Sequence, residues 1–196
     1  MASRLADRTL HDVLSAFAAA VPTPGGGSAC AAASALGVAL LMKAASVAGV
    51  SQDTLAGIEA QLVDAIDGDA RAYSDVIAAQ KQPRDSQVDR ALRTTAIQLA
   101  LRHATDVPLG IMRLSADALS EAHSLAPRIH RSTIADVTVA VMLLRAGFEG
   151  ARTTVAENLG GLADAQHAAT VRDECSRLTE QAARGSGEAE RLLRTV

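Results

Sequence analysis

One segment of the chain combines proline and glycine in a way that suits ligand binding. Residues 22–28 read Pro-Thr-Pro-Gly-Gly-Gly-Ser and lead directly into an apolar stretch. Glycines let a backbone approach a ligand closely, and the free N–H groups at the start of a following helix favour an anion. The same residues also fit a tight turn between two helices with a serine cap. The segment lacks the Gly-Lys-Ser/Thr of a Walker A loop.

A second candidate for chemistry is the carboxylate of Asp69, which lies four residues before Tyr73. On a helix this spacing places both side chains on one face, about 6 Å apart along the axis. Alanines at positions 70 and 72 and the apolar turns that follow allow partial burial, which would raise the pKa of Asp69 toward a value useful for proton transfer. The alternative is an ordinary surface carboxylate near Arg71.

Two further charged residues stand out against apolar surroundings. Asp136 lies at the start of an apolar stretch, where an acid in the first turn complements the helix dipole. Lys43 interrupts another apolar stretch and is one of only two lysines, the other being Lys81. Lys43 either extends its ammonium group to the surface or, if buried, needs a carboxylate partner. Asp69 and Asp136 are both candidates for that partner.

The histidines and cysteines form no motif typical of a metal site or a nucleophile. No pair among the five histidines has the i, i+4 spacing with an acid that a helical metal site shows, so we expect no metal. Cys30 and Cys175 are too few for a disulfide framework, which fits a reducing cytoplasm. A helix dipole favours a reactive thiol at Cys30, but no histidine partner lies nearby in the sequence.

The elements that must position these residues are helices. Apolar residues recur at three- and four-residue steps over residues 4–20, and the proline-glycine segment then breaks the pattern. Ser28 is predicted to cap a helix over 29–47 that is apolar nearly all round and must be surrounded by protein. Its apolar run over 29–42 is shorter than the roughly 20 residues that span a membrane, so we expect no membrane partner.

Four more helical segments follow. The third is predicted over 54–80 and the fourth over 86–122, with Pro108 expected to kink or divide the fourth. The fifth covers 134–158, and the last covers 162–193 with an interruption near residues 185–187. The predicted fold class is all-α: a single domain over residues 1–196, built as a bundle of about five to seven helices. Two nearly all-apolar helices favour a dimer.

The composition excludes several functional classes. Of the 196 residues, 48% are hydrophobic, yet only Phe17, Phe148 and Tyr73 are aromatic. A formal net charge of -3 leaves no broad basic face for phosphates, and three aromatic side chains offer no stacking platform for single-stranded nucleic acid. No apolar signal-peptide region follows the first residues. We therefore expect a cytoplasmic protein that does not bind nucleic acid.

Five motifs occur in a recognisable order. They are Pro-Thr-Pro-Gly-Gly-Gly-Ser at 22–28, Asp-Ala-Arg-Ala-Tyr at 69–73, Ala-Thr-Asp-Val-Pro-Leu at 104–109, Ile-Ala-Asp-Val at 134–137 and Asn-Leu at 158–159. In this order they resemble the cyclodeaminase/cyclohydrolase family, which includes the cyclodeaminase domain of formiminotransferase-cyclodeaminase and stand-alone methenyltetrahydrofolate cyclohydrolases. The resemblance covers roughly residues 5 to 195, and the first motif is the most specific.

The resemblance implies an all-helical fold, a homodimer and a tetrahydrofolate derivative as the small-molecule substrate, with no tightly bound cofactor. The reaction would be loss of ammonia from 5-formimino-tetrahydrofolate with ring closure, or hydrolysis of a methenyl bridge to a formyl group. Both pass through a tetrahedral adduct at an amidinium-like carbon and need a proton shuttle. The resemblance makes Asp69 the first choice for that general acid/base and Asp136 the second carboxylate. It assigns substrate binding to Pro24, Gly25, Gly26, Gly27, Ser28, Tyr73, Lys81 and Asn158.

The chain also departs from the family pattern. Where the family carries Asn-x-Thr and a lysine-rich Gly-Lys-Lys segment, residues 46–53 contain no lysine. Ala135 replaces a serine and Thr154 replaces an asparagine. Two alternatives therefore stand beside the folate enzyme: a divergent member acting on a different substrate in a biosynthetic pathway, and a non-catalytic helical binding protein. The last predicts no cavity at the glycine segment and an Asp69 in open solvent.

Overall fold

A computed structural model describes residues 4–193, which fold into six α-helices joined by short connections. The helices are α1 Leu10–Ala18, α2 Gly26–Val47, α3 Asp53–Gln80, α4 Gln87–Leu125, α5 Ile134–Leu159 and α6 Ala165–Leu193. Single 3-10 turns occupy Leu5–Asp7, Ala126–Arg128 and Arg131–Thr133. This range contains no strand. The predicted all-α bundle of five to seven helices is confirmed.

The core forms where α2 crosses α5, the most extensive helix contact in the bundle. Glycines make the close approach possible. A Cβ atom added at Gly147 would overlap the Ser34 side chain, and one at Gly150 would overlap the sulfur of Cys30. The hydroxyls of Ser34 and Ser115 share a hydrogen bond of 2.8 Å, so the polar atoms buried beside this crossing are satisfied. The abundance of small residues thus serves close packing of helices.

Helix α2 contributes one face to the core of the bundle. Ala31, Val38 and Leu41 on this helix are fully buried, whereas Leu36 and Val47 are 57% and 52% exposed, so a single chain does not surround the helix as its nearly all-apolar sequence predicts. By length and composition alone, its 22 residues are apolar enough to cross a membrane, and half of its most apolar stretch is buried inside the protein. The core helix of a folded domain passes the same test.

Two predicted helix starts are wrong. The chain does not begin one helix over 4–20: a 3-10 turn is held to α3 by the Leu5 N–H, which donates to Asp67 at 2.8 Å, and α1 starts only after the Thr9 cap. Ser28 does not cap α2, because Gly25 occupies the cap position and the helix begins at Gly26. The Ser28 side chain is therefore free to reach a neighbouring helix.

Two predicted divisions of helices are also wrong. Helix α4 runs through Pro108 without division, and α6 runs through residues 185–187. Packing explains the second case, because a Cβ added at Gly185 would come within 2.9 Å of the Leu119 backbone. Glycine at 185 lets α6 lie against α4, so the residue that weakens the helix locally strengthens the bundle.

Candidate functional site

The glycine segment lines a cleft between the start of α2 and the facing sides of α3, α4 and α5. The cleft has a volume of about 260 Å³. Its walls consist of Pro22, Thr23, Gly25, Gly26, Gly27, Asp69, Tyr73, Ala104, Thr154, Glu157 and Asn158. Four separate sequence motifs supply all of these residues except Thr154 and Glu157, and helix packing brings them together around one space.

Asp69 is held in this cleft by Ser28. The Ser28 backbone N–H donates to Oδ2 of Asp69 at 2.8 Å, and the Ser28 hydroxyl donates to the same oxygen at 3.0 Å. The neighbouring Gly27 leaves room for the carboxylate, because a Cβ atom there would overlap Asp69. Gly27 thus leaves the space for the Asp69 carboxylate, and Ser28 donates the hydrogen bonds that hold it there.

The electrostatics of Asp69 suit proton transfer. Burial raises the pKa of Asp69 above its ordinary value, and the two hydrogen bonds from Ser28 partly oppose that rise. A carboxyl group with a raised pKa is a stronger base when ionised and remains protonated over a wider pH range. The interpretation of Asp69 as an ordinary surface carboxylate near Arg71 does not fit this environment.

Two backbone donors face no partner at the start of α2. The N–H groups of Gly26 and Gly27 donate to no acceptor among residues 4–193, whereas the next N–H, of Ser28, donates to Asp69. Both glycines line the cleft. Free amides in the first turn of a helix stabilise negative charge that develops on a bound oxygen.

Asn158 has a structural contact as well as a place in the cleft. Its Nδ2 donates to the backbone oxygen of Ala104 at 2.7 Å. That oxygen is the one to which residue 108 would donate in a regular helix, and Pro108 has no N–H. Asn158 therefore supplies the missing donor, which accounts for the continuity of α4 through the proline and ties α4 to α5 beside the cleft.

No sequence motif pointed to Glu157, and Thr154 was noted only as a departure from the family pattern. Both lie on the cleft wall with Asn158, one helical turn or less away on α5. For Thr154 the available signal was its spacing from Asn158, because positions i−4 and i lie on one helix face. Glu157 carried no such signal, because adjacent helical residues point about 100° apart. Tyr73, predicted to lie on the same face as Asp69, does line the cleft and is 47% exposed.

Three predicted site residues lie outside the cleft wall. Pro24 lines a neighbouring depression with Arg4 and Ala70. Lys81 is an exposed residue after the end of α3 and does not reach the cleft lining. Ser28 is fully buried and acts on the cleft only through its hydrogen bonds to Asp69.

The structure does not bring Asp136 to the cleft of the same chain. Asp136 lies in the first turn of α5, and Thr154 on the cleft wall is about five turns further along, roughly 27 Å. Its Oδ2 lies 2.8 Å from Nζ of Lys43 on α2. This contact settles which carboxylate pairs with Lys43, and it leaves Asp69 without a lysine partner among residues 4–193.

Other reactive groups do not extend the site. Burial raises the pKa of the Cys30 thiol, and the negative charge of Asp69 raises it further, which disfavours a thiolate nucleophile. Within residues 4–193, no group of three or more His, Cys, Asp and Glu side chains is arranged to hold a metal ion. The chemistry available at the cleft is that of carboxylates, amides and hydroxyls.

Comparison with known proteins identifies the family to which this chain belongs. The sequence model of the formiminotransferase-cyclodeaminase family matches residues 9–177, most of the chain. The chain belongs to this family. A relative from Methylorubrum extorquens, named methenyltetrahydrofolate cyclohydrolase, is 31% identical over 171 residues, which cover 81% of this chain and 82% of the relative.

Longer family members match as well. A rat formimidoyltransferase-cyclodeaminase is 31% identical over 191 residues, which cover 91% of this chain but 35% of that protein. The chain thus spans about a third of the length of this two-function relative. The crystal structure of formiminotetrahydrofolate cyclodeaminase from Thermotoga maritima superposes with a TM-score of 0.86 over 96% of this chain and 97% of the other, at 21% identity. That similarity shows the shared fold.

Proposed function

We propose that this family member is a folate-dependent one-carbon enzyme of the methenyltetrahydrofolate cyclohydrolase or formiminotetrahydrofolate cyclodeaminase type. The observation that carries the proposal is the half-buried Asp69, held by Ser28 on the wall of a cleft that also exposes two free amides. The named relatives support the substrate class, a tetrahydrofolate derivative. The cleft volume of about 260 Å³ suits the reacting end of such a molecule, with the remainder lying at its rim.

In the hydrolysis, Asp69 acts as the proton shuttle. Its carboxylate takes one proton from a water molecule while the water oxygen forms a bond to the cationic methenyl carbon, which gives a neutral tetrahedral adduct. One C–N bond then breaks as the adduct hydroxyl loses its proton and becomes the formyl oxygen. The released nitrogen takes a proton from Asp69, and one proton passes to solvent. The amides of Gly26 and Gly27 stabilise the charge that develops on this oxygen.

Ammonia loss uses the same residue in the same order. The substrate's second amine nitrogen, which lies outside the ring that bears the formimino group, forms a bond to the carbon of the protonated formimino group and loses its proton to Asp69. Asp69 then returns the proton to the amino group of the tetrahedral adduct, and the C–N bond to that group breaks to release ammonia. The cationic methenyl bridge is the product.

The non-catalytic alternative predicts a glycine segment packed without a cavity and an Asp69 in open solvent. The cleft at Gly26 and Gly27 and the partial burial of Asp69 favour an enzyme over that alternative. A cytoplasmic location remains part of the proposal, supported by the two free thiols of Cys30 and Cys175.

The experiment is a direct assay of purified protein with methenyltetrahydrofolate, followed by its absorbance, and with formimino-tetrahydrofolate, followed by ammonia release. Wild-type protein is expected to accelerate one of the two reactions over buffer. Asp69→Asn is expected to reduce that rate about 10²- to 10⁴-fold. A wild-type rate equal to that of buffer in both assays would overturn the proposal.

We also propose that the protein is a homodimer formed through the outer face of α2 and α5. Leu36 on α2 and Val139 and Met142 on α5 are 57%, 46% and 61% exposed. Contiguous exposed apolar residues on two adjacent helices mark an association surface, and a self-complementary patch favours a two-fold dimer.

Light scattering after size exclusion tests this assembly. Wild-type protein is expected at twice the chain mass, and the double variant Leu36→Glu, Met142→Glu at the mass of one chain. The matched control is Leu99→Glu on α4, where the leucine is 71% exposed but lies on another helix. A wild-type monomer, or a control that dissociates like the double variant, would contradict the proposed interface.

A further inference from the structure

Glu157 is a charged residue of the cleft that the proton-transfer chemistry does not use. It lies on α5 and forms part of the cleft wall together with Asn158. Within residues 4–193 its carboxylate forms no ion pair and accepts no hydrogen bond, in contrast with Glu149 on the same helix, which pairs with Arg152 at 2.7 Å. An unpaired carboxylate at a cleft wall is available for a bound cation.

The charges around the cleft have one sign. Asp69 and Glu157 are its acidic lining residues, and the lining contains no lysine, arginine or histidine. Apart from the free amides of Gly26 and Gly27 at the start of α2, no group of the lining offsets this negative charge. A substrate that carries positive charge at its reacting carbon therefore gains attraction in this cleft that a neutral molecule lacks.

The two carboxylates are engaged differently. Both donors of Ser28 already occupy Oδ2 of Asp69, and Gly27 lies directly against that carboxylate. Glu157 keeps both oxygens free. Ser28 thus fixes the position of Asp69, whereas Glu157 remains an unpaired acidic side chain on the wall of the same cleft.

We propose that Glu157 is the residue that selects the amidinium cation of the one-carbon substrate over neutral folates. The inference rests on the proposed function. Both candidate substrates carry this charge, delocalised over an N–C–N unit, and a carboxylate is its natural hydrogen-bonding partner. Hydrolysis of the methenyl bridge gives a neutral formyl group, so the attraction to Glu157 ends with the reaction and favours release of the product.

The first test separates binding of the cation from turnover. Glu157→Gln is expected to raise the KM for methenyltetrahydrofolate roughly fivefold, the size typical of one exposed charge pair, with kcat changed less than twofold. The inhibition constant of the neutral product, 10-formyltetrahydrofolate, is expected to stay within twofold. Equal changes for the cation and the neutral product, or no change for either, would overturn the inference.

The control variant is Glu59→Gln, which removes the same charge from α3 about 15 Å along the helix from Asp69 and forms no ion pair within the described part of the chain. It is expected to leave both constants unchanged. An equal rise in the KM for methenyltetrahydrofolate in Glu59→Gln would show that net charge causes the effect and would overturn the role of Glu157.

A second readout does not depend on folate turnover. Titration of the protein with benzamidine, a small amidinium cation, and with neutral benzamide can be followed by NMR. The wild type is expected to bind benzamidine more tightly than benzamide, and Glu157→Gln to lose that preference. If turnover is absent but the preference and its loss are observed, the proposed function fails and the cation selectivity stands. Equal binding of both probes by the wild type would overturn the selectivity itself.

Discussion

The side chain of Asn158 replaces the hydrogen bond that Pro108 removes from α4. Its Nδ2 donates to the Ala104 oxygen at 2.7 Å, the acceptor that lies four residues before the proline. Ala104 is only 5% exposed, so this oxygen has little access to water. The contact links α5 to α4 across 54 residues of sequence, and it fixes the wall of the cleft that carries Glu157 and Thr154.

Asn158→Ala is expected to destabilise the protein by about 1–3 kcal/mol, because it leaves the buried Ala104 oxygen without a donor. In a Pro108→Ala background, residue 108 has an N–H that can donate to the same oxygen, so the loss should shrink by about 1 kcal/mol. Urea unfolding of the four proteins of this cycle measures the difference. The same cost of Asn158→Ala in both backgrounds would refute the replacement.

Ser28→Ala is expected to move the acidic limb of the pH–rate profile to higher pH. The Ser28 hydroxyl donates to ionised Asp69 and lowers the pKa of that carboxyl, so its removal lets burial raise the pKa further. The rate as a function of pH gives the limb. Ser34→Ala is the control, since Ser34 lies on the same helix and bonds Ser115 instead. An unchanged limb in Ser28→Ala would argue that Asp69 does not set it.

Asp69→Asn is expected to lose activity without losing stability. Burial raises the pKa of Asp69 in the folded state above its unfolded value, so the folded state binds this proton more tightly. Wild-type stability therefore falls as pH rises through the interval between the two values, and at pH 7 the ionised group contributes a penalty. The asparagine oxygen can still accept from Ser28.

Urea unfolding of wild type and Asp69→Asn at several pH values between about 4 and 7 tests this sign, since the unfolded carboxyl titrates near the lower limit. The variant should equal or exceed the wild type at pH 7, and its advantage should shrink toward pH 4. Asp75→Asn, which removes an exposed acid from the same helix, is the matched control for the loss of one carboxylate. If the stability of Asp69→Asn relative to wild type is lower at pH 7 than at pH 4, the prediction is wrong.

Gly27→Ala is expected to damage the site more than Gly26→Ala. The added methyl group at 27 would overlap the Asp69 carboxylate, whereas the space around a Cβ at 26 is empty to 4 Å. Displacing Asp69 should cost about 1–3 kcal/mol of stability and most of the activity. Unfolding curves and turnover of the two variants provide the comparison. If the two variants have the same stability and turnover, the close contact between Gly27 and Asp69 does not position the carboxylate.

Asp136→Asn is expected to leave turnover within a few-fold of wild type. Asp136 pairs with Lys43, whose side chain is 60% exposed, so losing the pair should cost about 0.2–1 kcal/mol. Steady-state turnover rates of wild type, Asp136→Asn and Asp69→Asn, measured side by side, test this expectation. A loss as large as that of Asp69→Asn would show that Asp136 serves a cleft in another chain of an assembly.

Much of the local structure follows from sequence periodicity. The three- and four-residue steps of apolar side chains predicted α3 and α5 to within one or two residues, and they placed Asp69 and Tyr73 on one face. Such features depend on residues a turn or two apart, for which the helix itself supplies the geometry. The proline-glycine segment likewise marked the start of α2 and one wall of the cleft.

The contacts that define the site depend on tertiary packing. Ser28 and Asp69 are 41 residues apart, and their pairing requires the register with which α2 and α3 pack. The choice of Asp136 for Lys43 follows from the crossing of α2 and α5. Pro108 and Gly185 look like helix breaks when only neighbouring residues are considered. In the bundle, Asn158 supplies the donor missing at Pro108, and the Leu119 backbone occupies the space that Gly185 leaves open, because contacts between distant segments outweigh local helix preference.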